Sequence, residues 1–430
     1  MSKSLDVLVD GKLIGCLYDK DPLTFVYSDD CLNELLRSPF ANVIPLESGD
    51  IATQAVLAYF ENLLPEGDQR RSLEERHHVT SIFGLLSKAG WDTAGSIVMQ
   101  PTGATPSRDG YVKQTWPGIA QIIAGHGTPK ESSKASISGA QYKLLLSLDD
   151  GGNPLIPLGA TASTHILKPD VQRLGQNIWA SAVNETIMMR AAHKCGLPVA
   201  SVDYIGAVKS CLVERYDRAS ENGKVVRLHQ SDLCQLLKIP SGIKYEVDGG
   251  PTFAQCYSHV KSTSVNTIKD CESLLKWLFF NLYIGNNDSH AKNISMLFTG
   301  EGAKLAPFYD LMCTAVYAIF SSNFAFKIGG PFKPGDITSG ELTAFSDSLN
   351  VSDRYMRTLA KEMSEKINPA IQDSIKELEG SFSHADKVMA ERIGHEVGSI
   401  CRKRKAKLLL SAASAVVPVN AAAAKKTRKT

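Results

Sequence analysis

The stretch Ile284 to Asn293, IGNNDSHAKN, crowds a carboxylate, an imidazole, an ammonium and an amide into one short segment. It follows an amphipathic run and precedes a short β-like one, so it is expected to be a loop gripped at both ends, where folds tend to place function. Asp288 and Asn293 are spaced D-x-x-x-x-N. That spacing lets one loop offer a carboxylate to an attacking hydroxyl and an amide oxygen to a metal ion, the division of labour that phosphoryl transfer needs. Alone it is weak: a chain of this length yields about one such match by chance. Asp217 and Asn222 form a second match, in a polar segment to which no such meaning attaches. His290 by itself is compatible with an ordinary loop histidine.

The order of the remaining groups adds weight. Phosphoryl transfer also needs a cation on the nucleotide phosphates, something to hold that cation, and an acidic metal ligand beyond the catalytic loop. Lys168 ends the apolar strand His165-Ile166-Leu167, and Glu185 lies in the helix that follows, where it could pair with Lys168. Asp310 closes the apolar run Leu305 to Tyr309 and suits Mg²⁺, which takes one or two carboxylates with phosphate oxygens and water. Lys168, Glu185, Asp288, Asn293 and Asp310 thus stand in the order used by protein kinases. Each has a bland alternative: a solvated strand-end lysine, a surface glutamate, an aspartate capping a helix that begins near Leu311. Their joint occurrence in one order weighs against all three. No G-x-G-x-x-G precedes Lys168, and no G-x-x-x-x-G-K-[ST] occurs, which excludes a P-loop NTPase. The one upstream candidate for a phosphate loop, Ser136 to Lys143 (SISGAQYK), has a single glycine, and Asp310 is flanked by Tyr309 and Leu311 rather than set in D-F-G.

The elements that must position these groups form an α+β pattern. Leu5 to Val9 and Leu13 to Leu17 flank Asp10-Gly11, a hairpin signal. Helices are expected over Gln54 to Leu64 and Ser72 to Lys88, the latter closed by Gly90. Ser96 to Met99 reads as a strand and Pro101 to Gly110 as a linker. Strands over Tyr142 to Leu148 and Thr164 to Lys168, a helix over Asn177 to Cys195, and strands over Val199 to Ile205 and Cys211 to Tyr216 follow. Helices then dominate: Ser231 to Leu237, Ser273 to Ile284, Val351 to Ile375 and Ser383 to Leu410, interrupted by β character at Ile294 to Phe298 and Leu305 to Phe308. The expected division is an N-terminal unit over 1–110, a β-rich lobe over 111–228, a helical lobe over 229–412 and a basic, Ala-rich tail over 413–430.

Composition bounds the classes. At about 150 residues per domain, 430 residues suggest two or three domains. With 43% hydrophobic and 21% charged residues, the chain can build packed cores. A net charge of +2 argues against a surface coated in basic charge for nucleic acid. The nine cysteines include no C-x-x-C pair, so a disulfide framework or structural zinc is not expected, and a reducing cytoplasm is the natural setting. No secretory signal is expected, and Leu408 to Ala424 is a poor membrane span, so no membrane partner is expected. The basic runs Arg402 to Lys405 and Lys425 to Lys429 are expected to be solvated ends rather than DNA contacts.

Several strings in order carry a more specific message. SISGAQYKLLL, STHILKP, the Asn184-Glu185 pair, LVERYDR, HQSDLCQ, KYEVDGGP, GNNDSHAKN and LAPFYDL together resemble the HipA-type serine/threonine kinase toxins of bacterial toxin–antitoxin modules. YFENLLPEG and the run Gly95 to Val98 are similar to that family's N-terminal domain. The resemblance implies a protein-kinase-like bilobed fold, with a β-rich N-lobe and a helical C-lobe, behind a small α/β domain. It implies ATP and Mg²⁺ as cofactors, Asp288 as the general base or orienting carboxylate, and Asn293 and Asp310 as metal holders. Lys168, His290, Ala291, Lys292 and Tyr309 would lie along the nucleotide phosphates. Glu214, Arg215 and Tyr216 would form the hinge that bonds adenine, largely through backbone groups. Ser138, Gly139, Ala140, Gln141, Tyr142 and Lys143 would form the phosphate-side loop, and Ser136 matches the serine this family autophosphorylates to switch itself off. The implied partners are a helix-turn-helix antitoxin of the HipB kind, operator DNA mainly through that antitoxin, and a protein substrate such as an aminoacyl-tRNA synthetase, glutamyl-tRNA synthetase being the family's best-known target. Two other readings stand beside it. One is a binding subunit acting mainly as corepressor; the other is a metal-dependent phosphohydrolase using Asp288, His290 and Asp310, which leaves Lys168 and the hinge unexplained.

Overall fold

The computed structural model describes residues 3–36, 38–40, 42–104, 109–125, 141–171 and 178–409. Ser136, Ser138, Gly139 and Ala140 lie outside them, as does the basic tail.

The first unit is a four-stranded antiparallel sheet in the order Thr24–Tyr27, Lys12–Tyr18, Ser4–Val9, Ile97–Pro101. Its hairpin turns at Asp10-Gly11, both at positive φ, as a tight antiparallel turn requires. Alternation sends Leu5 and Val7 into a core where Phe25, Phe40, Tyr59 and Phe60 pack ring on ring. The expected helix Ser72 to Lys88 is in fact two, Gly67–His77 and Ile82–Ala89. His78 leaves the first in the left-handed region, and the Ser81 hydroxyl accepts from Gly84 N to start the second.

The β-rich lobe is a six-stranded antiparallel sheet ordered Gly110–Lys113, Pro154–Leu158, Leu144–Leu148, His165–Pro169, Ser210–Glu214, Val202–Ile205. In the central strand His165–Pro169, Leu167 opposes both Leu144 and Leu212 and packs with Ile119 on one face. The two-residue period therefore turns Ile166 and Lys168 to the other face, toward the cleft. Helix Ser181–Lys194 crosses that side and packs on the long helix Asp353–Leu378 of the next lobe.

The helical lobe is built on Phe253–Thr263, Thr267–Ile284, Ser339–Ser348, Asp353–Leu378 and His384–Leu409, around Trp277, Phe279, Phe280 and Tyr283. The β interruption is a three-stranded sheet, His229–Asp232 with Ser295–Thr299 and Gly302–Leu305. A helix over Ser231 to Leu237 is therefore not what forms. Asp232 ends a strand and, in a capping box with Gln235, starts the short helix Leu233–Leu236. No helix starts at Leu311, which removes the capping alternative for Asp310. Arg404 belongs to helix His384–Leu409 and donates to the Leu282 carbonyl, so that part of the basic run is packed structure rather than a frayed end.

Candidate active site

Helix Thr267–Ile284 ends at Gly285, whose φ of +74° is the left-handed cap that glycine adopts without strain. A Cβ there would meet Ala315 Cβ and Ile400 Cδ1 at 2.9 Å, so the exit into the loop is fixed sterically as well. The loop is then tied at each step. Asn286 Nδ2 donates to Asn281 Oδ1 at 2.8 Å and its Oδ1 accepts from Asp288 N at 3.1 Å; Asn287 N donates to Thr314 Oγ1 at 2.8 Å. Asn293 Nδ2 donates to the Asp288 carbonyl at 3.0 Å, which leaves its Oδ1 as an acceptor available to a cation. Asp288 keeps 49% of its side chain open to the cleft. Burial raises its pKa above the ordinary carboxylate value, against the opposing pull of Lys244 and a hydrogen bond from Tyr245.

Opposite stands Lys168, 4% exposed, which joins the two lobes. Its ammonium donates to Glu185 Oε1 at 2.5 Å and Asp310 Oδ1 at 2.8 Å. Burial pulls the lysine pKa down, but Asp310 and Glu185 overcome it and hold Lys168 protonated. The same pairing, helped by Lys143, outweighs the burial of Asp310 and keeps its carboxyl well below the usual carboxylate range. Asp310 sits at φ +60°, a left-handed position that aspartate tolerates better than most residues. Lys143 enters the same cleft, and burial, then the Lys168 charge, bring its pKa down to about 8.

One cleft therefore brings together Lys143, Lys168, Glu214, Asp288, His290, Lys292, Asn293, Tyr309 and Asp310, with Gln141, Arg215 and Tyr216 also on its wall. Glu185 closes it from behind through Lys168. His290 is neutral, burial pushing its pKa well below the ordinary imidazole value. Tyr309 stacks on Tyr216 with ring centroids 6.0 Å apart and donates to the Lys292 carbonyl at 2.8 Å.

Four expected site residues are placed differently. Tyr142 lies between Gln141 and Lys143, which line the cleft, but is itself outside the cleft wall and 44% exposed. Ala291 is fully buried in the turn Ala291–Asn293 and does not reach the cleft. Arg215 commits its guanidinium to Asp217, Ser163 and the Thr93 carbonyl, so it leaves the hinge only its backbone. Lys292 touches the cleft, yet its ammonium donates to Asn62 O at 2.8 Å, Asn62 Oδ1 at 2.5 Å and Asp232 Oδ2 at 3.3 Å. It cross-links the N-terminal unit to the loop that carries Asp288.

That unit is a structural part of the site. Asp92 accepts from Arg218 at 2.7 Å and from Ser163 N at 2.9 Å, with Arg215 and Arg227 each 3.5 Å away. Asp217, the other half of the chance D-x-x-x-x-N match, belongs to this buried cluster. The segment Arg215 to Arg218 is thus fastened from behind by a carboxylate 1% exposed. Asp92→Asn is expected to cost about 3 kcal/mol, since removing one charge strands its buried partners; urea unfolding followed by circular dichroism measures it. Asn62 and Glu66, from the same unit, also line the cleft, Glu66 bonding Lys244 at 2.5 Å. Asn62, Glu66, Asp232, Lys244 and Tyr245 are the site residues that sequence reasoning missed. All lie in strings that carried the family resemblance, but none has a spacing that announces a chemical role.

A hinged pair of lobes, a strand lysine ion-paired to a helix glutamate, and a loop Asp and Asn facing a second Asp define a protein of the kinase fold. Comparison with known proteins narrows it. Residues 135–371 match the HipA-like C-terminal domain and residues 5–100 the HipA N-terminal domain. The chain belongs to the HipA family. It is 30% identical over 362 residues to the serine/threonine-protein kinase toxin HipA of Shewanella oneidensis, covering 78% of this chain and 81% of that protein. It is 34% identical over 344 residues to Y4mE of Sinorhizobium fredii, a protein with a provisional kinase name, covering 76% of this chain and 80% of that one. In structure it resembles the HipA of Shewanella oneidensis MR-1 solved with HipB and operator DNA, at 26% identity and a TM-score of 0.78 over 93% of this chain and 97% of that chain. Among the described residues no helix is long and apolar enough to cross a membrane.

Proposed function

We propose that this chain is an ATP- and Mg²⁺-dependent serine/threonine protein kinase acting as the toxin of a toxin–antitoxin module. The observation that carries the reading is Lys168, held between Glu185 and Asp310 across the lobes, in the cleft that also receives Asp288 and Asn293. In this reading ATP lies with its adenine against the backbone of Glu214 to Tyr216 and its phosphates toward Lys168 and Lys143. The donors facing the phosphate end are hard oxygens, the Asp310 carboxylate and the Asn293 amide, which fits Mg²⁺ and not a thiophilic metal. Bound there, the ion neutralises charge on the phosphates; the chain's own part is orientation and proton handling. Asp288 accepts the proton of a serine or threonine hydroxyl as that oxygen attacks the γ-phosphorus, while the bond from the γ-phosphorus to the β,γ-bridging oxygen breaks and ADP leaves.

The HipA solved with HipB and operator DNA supports a HipB-like antitoxin and operator DNA as partners; that the antitoxin is of the helix-turn-helix kind and makes most of the operator contact is proposed from the family resemblance. That favours a second role for this chain, corepressor of its own operon. A translation component such as an aminoacyl-tRNA synthetase is the substrate class proposed from the family resemblance, and self-phosphorylation at Ser136 the switch. A phosphate there adds about two negative charges, and in this reading their repulsion of the ATP phosphates opposes nucleotide binding. The test is incubation of the full chain with γ-labelled ATP and Mg²⁺, with mass spectrometry of the modified residue. Phosphate on Ser136 is expected; phosphate elsewhere defeats the switch, and no transfer to the chain or to a translation extract defeats the kinase reading in favour of the corepressor.

A further inference from the structure

The string KYEVDGGP, Lys244 to Pro251, brings Lys244 to the cleft and Tyr245 to Asp288, and no catalytic task has yet been given to the contact that Tyr245 makes there. Tyr245 stands between two single turns, Ser241–Ile243 and Glu246–Asp248, with its carbonyl accepting from Asp248 N at 3.1 Å and Gly250 N at 2.9 Å. Gly249 is at φ +87°, and a Cβ on Gly250 would run into the carbonyls of Ile243 and Tyr245, so the double glycine is what lets the turn close beneath the tyrosine. The tyrosine hydroxyl donates to Asp288 Oδ1, and its ring stands edge-on to His290 with centroids 5.0 Å apart at 85°. On its other side Lys244 is bonded to Glu66 of the N-terminal unit at 2.5 Å. The segment is anchored at both ends before it reaches Asp288.

We infer that Tyr245 is a positioning residue for phosphoryl transfer: its hydroxyl holds Asp288 Oδ1 and thereby presents Oδ2 to the acceptor hydroxyl. The inference rests on the kinase reading and adds to it the group that orients the base. A carboxylate on a two-bond side chain otherwise rotates, and an error of about 1 Å in a reacting group can cost about 100-fold in rate. Tyr245 touches neither nucleotide nor acceptor in this arrangement, so its loss acts on turnover and not on ATP binding.

The test uses the full chain, γ-labelled ATP with Mg²⁺, and label incorporated into the chain or released as phosphate; binding is followed with a fluorescent ATP analogue. Tyr245→Phe keeps the ring, and with it the edge contact to His290. It is expected to lower the maximal rate about 10- to 100-fold, with the half-saturating ATP concentration and analogue affinity unchanged. Because the hydroxyl acts only through Asp288, the double variant Tyr245→Phe/Asp288→Asn is expected to be no slower than Asp288→Asn alone. Fluorotyrosine at 245, which keeps the hydroxyl, is expected to restore the rate. A Tyr245→Phe enzyme as fast as wild type, or additive losses in the double variant, overturns the inference. A wild-type chain that transfers no label overturns the kinase reading beneath it instead.

Discussion

Asp288→Asn is expected to slow phosphate transfer by about 10²- to 10⁴-fold, the range for loss of a positioned general base, while the fold and ATP affinity stay as they are. Asparagine fills the same volume, its carbonyl oxygen can still take the Tyr245 hydroxyl, and the Asn286 and Asn293 bonds that tie the loop go to backbone atoms of residue 288. What disappears is the acceptor for the substrate proton. About half of the Asp288 side chain is open to the cleft, where water can solvate the neutral amide, so the substitution is expected to cost little stability. Single-turnover transfer from γ-labelled ATP reads the rate, and thermal unfolding with fluorescent ATP-analogue binding reads the rest. Growth arrest on expression is expected to vanish with the same substitution. Wild-type transfer in Asp288→Asn removes Asp288 from the catalytic role; persistent toxicity without transfer favours the corepressor.

The parts of this site that the sequence reveals are those whose chemistry sits in local pattern. The order of Lys168, Glu185, Asp288, Asn293 and Asp310 could be read because each follows or ends an apolar run that the fold must bury. The helix ends at Gly196 and Gly285 are marked by glycines that sit at left-handed φ. What stays hidden depends on which way a side chain turns once its neighbours are paired. Lys292 lies in the most informative loop of the chain, yet Asn62, remote in sequence, decides where its ammonium goes. The family resemblance puts Arg215 in the expected hinge, but Asp92 and Asp217 decide that its side chain faces backward. The segment Ser231 to Leu237 has a helical composition that a strand partner at Ser295–Thr299 overrides for its first residues. Tyr245 shows the same limit: nothing in KYEVDGGP says that the turn closes onto a carboxylate 43 residues away.

The largest combined effect on stability and activity is expected from Lys168→Met. Lys168 is the cation for two carboxylates at once, and Glu185 is only 1% exposed, with its Oε2 lacking a hydrogen-bond partner even in the intact protein. Removing one partner of a buried ion pair typically costs about 3 to 5 kcal/mol, and methionine recovers part of that by filling the space. Glu185 then takes up a proton: burial already raises its pKa, and the charge that opposes this is gone. A raised carboxyl pKa already makes Glu185 favour folding at low pH, and losing Lys168 strengthens that dependence, so the deficit of the variant should shrink as pH is lowered. Adding Glu185→Gln to Lys168→Met should restore much of the stability, because the stranded charge is removed, and none of the transfer, because the phosphate cation is still absent. Loss of one preorganised charge at the phosphates is worth about 10²- to 10³-fold in rate. Urea unfolding at pH 5 and pH 8, set beside label transfer by the single and double variants, separates the two contributions. If the double variant regains activity along with stability, Lys168 is a structural tie between the lobes, and the phosphate contact assigned to it belongs to Lys143.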